Sequence, residues 1–296
     1  MVAVASVNAK HVCPACRAIN PTRYRFPEGD ILMCSQCELN WADMSAATEA
    51  GDSNVSGVHG RYMDPASIDP PRYPPYLDFF KRFEGRGSVP LRILDVGCGN
   101  GVFVGECLRR GHDPYGVELM ESMAGLMTDA VRRRVVFEPI ELALETLEGR
   151  FDVVSFWDSF EHLADPFSVL RGIVPHLAPD GIAFVRVNNS RDIFNVLTRL
   201  TLRMIPSLGR PMLKICFNLP EHYWNFALAP MRRMLENVGW KIVGFRPTET
   251  PVSRLSDNPV ISAAFHCAYA VNRIAGGGKI GEYWVQPSDG SGKQRC

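Results

Sequence analysis

The apolar positions of the chain fall into short, nearly continuous runs separated by segments whose apolar residues recur at helical spacing. Arg92 to Val96 (RILDV) has the composition of a buried strand, and after it Val102, Phe103, Cys107 and Leu108 repeat with helical period up to a stop at Gly111. His112 to Glu118 reads as a second short strand, Val135 to Phe137 as a third, Phe151 to Trp157 (FDVVSFW) as a fourth, and Ile182 to Val187 as a fifth. Between the last two, Leu163 to Leu177 predicts a helix with LAPDG as its exit turn. Lys241 to Arg246 predicts a sixth strand, residues 259–275 a helix, and Glu282 to Gln286 (EYWVQ) a last strand. Upstream, Leu77, Phe80 and Phe83 lie three apart and predict a short amphipathic helix over Tyr76 to Phe83. Strands alternating with helices predict an α/β fold, here a doubly wound sheet of seven strands.

The first strand runs into ILDVGCGNG, an acid followed by glycines at 97, 99 and 101. Strand, glycine loop and helix form a nucleotide-type cradle, in which the backbone approaches a ligand and offers amide donors at a helix start. A dinucleotide fingerprint needs its third glycine at position 102, where this chain has Val102. Asp95 would repel a pyrophosphate and favour a cationic group carrying a free amine. Glu118 closes the second strand, where an acid typically holds both hydroxyls of a ribose. A ribose joined to a cationic head excludes most nucleotides.

Ahead of this unit the pattern changes. Cys13-Pro14-Ala15-Cys16 and Cys34-Ser35-Gln36-Cys37 give two C-x-x-C knuckles with seventeen residues between them, the spacing of a four-thiolate zinc site. Four sulfurs close a tetrahedron and leave no position for substrate, so such zinc is structural. A redox pair and a nucleic-acid finger are the alternatives, and few basic residues lie near the knuckles. The expected organisation is a zinc ribbon over residues 1–45 and a small-residue and proline-rich linker over 46–75. The large domain takes up 76–296, with a substrate-side insertion at 188–220.

Composition narrows the partners. Apolar residues make up 46% and charged residues 22% of the 296, ordinary for a globular protein. Lys+Arg and Asp+Glu stand at 32 each, so no global positive field collects nucleic acid. The first residues, MVAVASVNAKHV, lack a basic start followed by an apolar core, and no uncharged run reaches the roughly 20 residues that cross a bilayer. A cytoplasmic location is expected, with nine cysteines serving as thiols and metal ligands.

With these residues on the page, LDVGCGNG and the GVE that ends the second strand resemble the class I S-adenosylmethionine-dependent methyltransferases, over roughly residues 76 to 290. The resemblance implies that Gly97, Gly99 and Gly101 lie under the methionine portion of the cofactor, that Asp95 holds that end, and that Glu118 binds the ribose. It also implies adenine contacts from Glu138 to Glu141 and an antiparallel last strand. FWDSFEHLADP, VNNS and Pro220-Glu221-His222-Tyr223-Trp224-Asn225-Phe226 are similar to a branch that acts on quinone precursors, sugars and other small metabolites. The expected substrate is therefore a small molecule or a glycan or lipid-linked precursor, methylated at oxygen.

Asp158 to His162 stands at the carboxyl end of the fourth strand, where open parallel sheets bind ligands, and Asp158 is taken as a cofactor contact. His162 and His222 are the candidate bases for an acceptor hydroxyl. Asp158, Glu161 and His162 fall at i, i+3 and i+4, so on a helix they would share a face and hold a magnesium-like ion. In 189–220, Ile193, Phe194, Leu197, Leu200, Met204 and Ile205 alternate with Arg191, Arg199, Arg203, Arg210 and Lys214. This is either a helical cap that buries its apolar face or a lid touching a membrane surface. An RNA base methyltransferase is the rival enzyme, without the N-P-P-Y motif such proteins carry after the fourth strand. A non-catalytic scaffold is the rival without chemistry.

Overall fold

The computed structural model describes residues 12–46, 69–83 and 90–288; the expectations for the first eleven residues and for most of the linker lie outside them. A seven-stranded sheet runs through the large domain in the order β10-β11-β8-β7-β4-β5-β6. Its strands are β4 (Arg92–Val96), β5 (Asp113–Glu118), β6 (Val135–Phe137), β7 (Phe151–Trp157), β8 (Leu177–Asn188), β10 (Trp240–Thr248) and β11 (Ile280–Pro287). β4 to β8 are parallel, whereas β11 enters antiparallel between β8 and β10, as the resemblance implied.

Strand period two sends alternate residues to two apolar layers. Ile93, Val153, Ile182, Phe184 and Trp284 face α1 (Pro74–Lys81) and α2 (Val102–Arg109), packing with Phe79, Phe80, Phe83 and Phe103. Leu94, Val154, Phe156, Val185, Tyr283 and Val285 face the other way. There they meet α4 (Ile140–Thr146), α5 (Pro166–Ile173) and α8 (Leu228–Asn237) through Ala143, Leu170, Ile173, Met231 and Leu235. A single-turn helix, α3 (Asp129–Arg132), lies between β5 and β6. The helix α9 (Pro259–Ile274) spans the expected 259–275.

Two boundaries differ from the sequence reading. The helix expected over Leu163 to Leu177 begins only at Pro166, because Asp165 caps it by accepting from the Ser168 amide at 2.9 Å and Pro166 suits the first turn. LAPDG is not an exit turn. It opens the twelve-residue strand β8, where Leu177 pairs with Phe151 before a register shift.

The N-terminal segment forms a second sheet, β1 (Thr22–Phe26), β2 (Gly29–Met33) and β3 (Asn40–Asp43), completed by β9 (Trp224–Asn225) from the large domain. Cys13, Leu32, Leu39 and Trp41 belong to the same buried cluster as Phe160, Phe167 and Phe226, so the two sheets share one core. The insertion folds as α6 (Ile193–Met204) and α7 (Pro206–Phe217). These helices bury Leu202, Leu213 and Phe217 against Ile31, Tyr24 and Phe26 of the N-terminal sheet, while Leu197, Leu200, Met204 and Leu208 stay exposed. Among the described residues no helix is long and apolar enough to cross a membrane.

Candidate active site

The glycine loop sits at the carboxyl end of β4, between β5 and β7. Asp95 is the fourth residue of β4 and only 2% exposed; burial pushes its carboxyl up to about 7, against a lowering hydrogen bond donated by Ser155 Oγ at 2.8 Å, with the charge of Glu118 adding to the rise. Gly97, Gly99 and Gly101 all take left-handed φ values, 71°, 55° and 73°. Two of them are required by the protein's own packing as well. A Cβ on Gly97 would stand 2.6 Å from Ser159 Cβ, and one on Gly101 2.4 Å from Val131 Cγ1.

Glu118 closes β5 and folds back over the loop. Its carboxylate accepts the amides of Gly99 at 2.7 Å, Leu119 at 2.8 Å and Met120 at 2.9 Å, so it organises the cradle that it borders. Asp95 and Glu118 thereby place two carboxylates at the ends of adjacent parallel strands, flanking a left-handed loop.

At the end of β7 the chain turns sharply. Asp158 has a φ of 52°, and its carboxylate pairs with Arg186, which is 1% exposed and also faces Glu282 at 3.7 Å. Glu282 in turn binds Arg246 at 2.6 Å, and Arg246 reaches Asp78 of α1 at 2.8 Å. A charged chain thus crosses the carboxyl edge of the sheet. Sequence reasoning missed Arg186 and Glu282. The available signal was a cation in the otherwise apolar IAFVRV and an acid at the head of EYWV.

The metal set expected at Asp158, Glu161 and His162 is corrected. Residues 160–162 form only one 3₁₀ turn and Asp158 is left-handed, so the i, i+3, i+4 face does not exist and Arg186 takes the Asp158 carboxylate. The ligand-type atoms that do converge are those of Glu161, His162 and His222, all within 4.8 Å of one another. Both candidate bases are therefore brought together, with ring centroids 4.6 Å apart and ring planes at 89°. His162 Nδ1 lies 2.9 Å from the Glu221 carbonyl, which can only accept, so Nδ1 carries a hydrogen and donates it. His222 is 6% exposed, with Nδ1 3.4 Å from Asn188 Nδ2. Glu161 is 1% exposed, and burial, then the charge of Asp158, raises its carboxyl to about 8.

The four cysteines also converge, with Cys13 and Cys37 sulfurs 3.5 Å apart and those of Cys16 and Cys34 3.5 Å apart. A tetrahedron with about 2.3 Å zinc–sulfur bonds has edges of about 3.8 Å, so the set fits a tetrathiolate ion. Each knuckle ends in a left-handed residue, Arg17 at 63° and Glu38 at 64°, whose amide returns to the Cys13 or Cys34 carbonyl at 3.0 Å.

The fold and the acid-flanked loop define a Rossmann-like methyltransferase. Residues 71–244 match the family described as a methyltransferase domain, and the chain belongs to that family. Among curated relatives, the ubiquinone biosynthesis O-methyltransferase of Psychrobacter cryohalolentis is 30% identical over 112 residues, 35% of this chain and 43% of its own length. The protein of the same description from Bordetella avium is 26% identical over 163 residues, 51% of this chain and 67% of that one. The chain thus spans about half the length of the curated relatives it matches. Among solved structures, magnesium protoporphyrin IX methyltransferase from Synechocystis PCC 6803, with bound S-adenosylhomocysteine, is 14% identical, with a TM-score of 0.47 over 81% of this chain and 90% of that one.

Proposed function

We propose that the protein transfers a methyl group from S-adenosylmethionine to an oxygen of a small metabolite or of a glycan or lipid-linked precursor. The observation that carries this reading is the pair of buried carboxylates, Asp95 and Glu118, on either side of a left-handed glycine loop. The relatives' description as O-methyltransferases supports oxygen as the acceptor atom. When bound, the cofactor supplies an electrophilic methyl group on a positively charged sulfur.

The rest is work for this chain's residues. Asp95 gives its charge to the cationic end, Gly97, Gly99 and Gly101 let the backbone close on it, and Glu118 accepts from ribose hydroxyls while keeping its hold on the loop amides. Aligning acceptor and donor is worth about 7 to 11 kcal/mol in well-oriented reactions. An acceptor hydroxyl's proton would pass to an imidazole of the His162 and His222 pair, a base worth about 10²- to 10⁴-fold. In this reading the cysteine set holds zinc and does no chemistry.

Calorimetry with S-adenosylhomocysteine and label transfer from S-adenosylmethionine to a panel of phenols and sugar precursors test the proposal. His222→Ala is expected to slow transfer with cofactor affinity unchanged. Absence of binding heat in the parent would refute it.

A further inference from the structure

The ribbon sheet and the acceptor-end histidines are joined through one short piece of backbone. β3 leaves the second knuckle directly, with the Cys34 amide donating to Leu39 at 2.9 Å, and its free edge pairs with β9 as Asn40 to Asn225 and Trp41 to Trp224. β9 is two residues long and stands at the end of that sheet, so β3 is its ladder partner. The residue before it, Tyr223, follows His222. Its carbonyl accepts from the Ala42 amide of β3 at 2.8 Å, while its amide donates to the Glu161 carbonyl at 2.8 Å. Trp224 Nε1 donates to the Leu163 carbonyl at 2.9 Å. The segment bearing His222 is thus clamped between the ribbon and the turn bearing Glu161 and His162. The cofactor loop is braced by other groups: Ser155 on Asp95, Gly99 on Glu118, and Ser159 on the Val96 carbonyl.

We propose that the four-cysteine site is a positioning element for methyl transfer: metal held by Cys13, Cys16, Cys34 and Cys37 fixes β3, β3 fixes β9, and β9 fixes His222 against His162, independently of cofactor binding. This rests on the reading of His222 and His162 as acceptor-end groups. A ribbon this small holds its shape through its metal, since closed tetrathiolate sites supply folding energy outright. β3 supplies the ladder of this two-residue strand, whose other holds are the Glu161 and Leu163 carbonyls and the bridge from Phe226 to Asn189. Loss of the metal therefore removes the β3 side of the clamp on Tyr223 and loosens His222, which its bonds to the large domain alone then hold.

The test uses the full chain. Zinc is measured in the purified protein, then removed with a high-affinity chelator, and two quantities are followed: S-adenosylhomocysteine affinity by calorimetry, and acylation of His222 and His162 by diethyl pyrocarbonate, located by mass spectrometry. The expected result is one equivalent of zinc, affinity unchanged within about twofold on its removal, and His222 acylated at least about fivefold faster as its burial is lost. Ala42→Pro keeps every cysteine and deletes the one amide that donates to Tyr223; it is expected to retain zinc and to expose His222 in the same direction. The proposal is overturned by a chain that binds no zinc, by unchanged His222 acylation in the stripped protein or in zinc-bound Ala42→Pro, or by collapse of cofactor affinity together with the zinc. If the parent binds no S-adenosylhomocysteine, the methyl-transfer reading fails, while the acylation contrast still reports on the link between zinc and His222.

Discussion

Replacing Asp95 with asparagine separates what this residue does for the cofactor from what it does to the fold. Its carboxyl is buried and raised from 3.8 to about 7, so below pH 7 the empty protein favours the protonated form. A carboxyl raised on folding contributes stability that is complete below the unfolded value, near 4, and is lost as pH climbs through 7. At about 1.4 kcal/mol per pH unit the loss by pH 8 is about 4 kcal/mol, of which about 2 kcal/mol is already gone at pH 5. Asparagine is neutral throughout, and its side-chain oxygen can still accept from Ser155 Oγ. Asp95→Asn is therefore expected to be more stable than the parent, by about 2 kcal/mol at pH 5 and about 4 kcal/mol at pH 8. It is also expected to bind S-adenosylmethionine at least about tenfold more weakly, about 1.4 kcal/mol. Binding of the cation ionises Asp95, so the parent should release a proton on binding near pH 6.5 and the variant should not. Urea denaturation at the two pH values, with zinc saturating, and calorimetry in buffers of different ionisation heat measure both effects. Equal stability changes in parent and variant between pH 5 and 8 would refute the reasoning.

Other outcomes follow from the same geometry. Glu118→Ala should weaken cofactor binding and, with three backbone amides on this carboxylate, also lower stability by roughly 1–3 kcal/mol, read from a melting curve without ligand. Gly101→Ala meets Val131 Cγ1 in a left-handed conformation and should cost about 2–4 kcal/mol, partly recovered in urea titrations by adding Val131→Ala. Arg186→Met removes the cation of Asp158, while Glu282 keeps Arg246, and should destabilise by about 1–3 kcal/mol. A loss under 1 kcal/mol in chemical denaturation would show that the charged chain across the sheet edge contributes little.

Much of the fold was legible because strands buried on both faces are nearly continuous apolar runs, and the seven read from the sequence are the seven strands of the sheet. The cysteine knuckles and the Gly97 to Gly101 loop were legible for a similar reason, since their spacing is local. What failed was local geometry inferred by extension. Asp158, Glu161 and His162 share a face only on an ideal helix, and a single left-handed residue removed it. The function of Gly97 and Gly101 was assigned wholly to a ligand, yet Ser159 and Val131, distant in sequence, also forbid their side chains.

By itself the sequence determined the order of the seven strands of the large sheet, the acid at the end of each of the first two, and the two pairs of thiols, because each depends on residues within a few positions of one another. Only the tertiary structure decided that Arg186 pairs with Asp158 and Glu282, that the ring centroids of His162 and His222 stand 4.6 Å apart, and that the N-terminal sheet takes β9 from residues 224–225. Those are pairings between segments sixty to nearly two hundred residues apart in some cases. They are set by which faces the packed core brings together and leave no periodic trace in the chain.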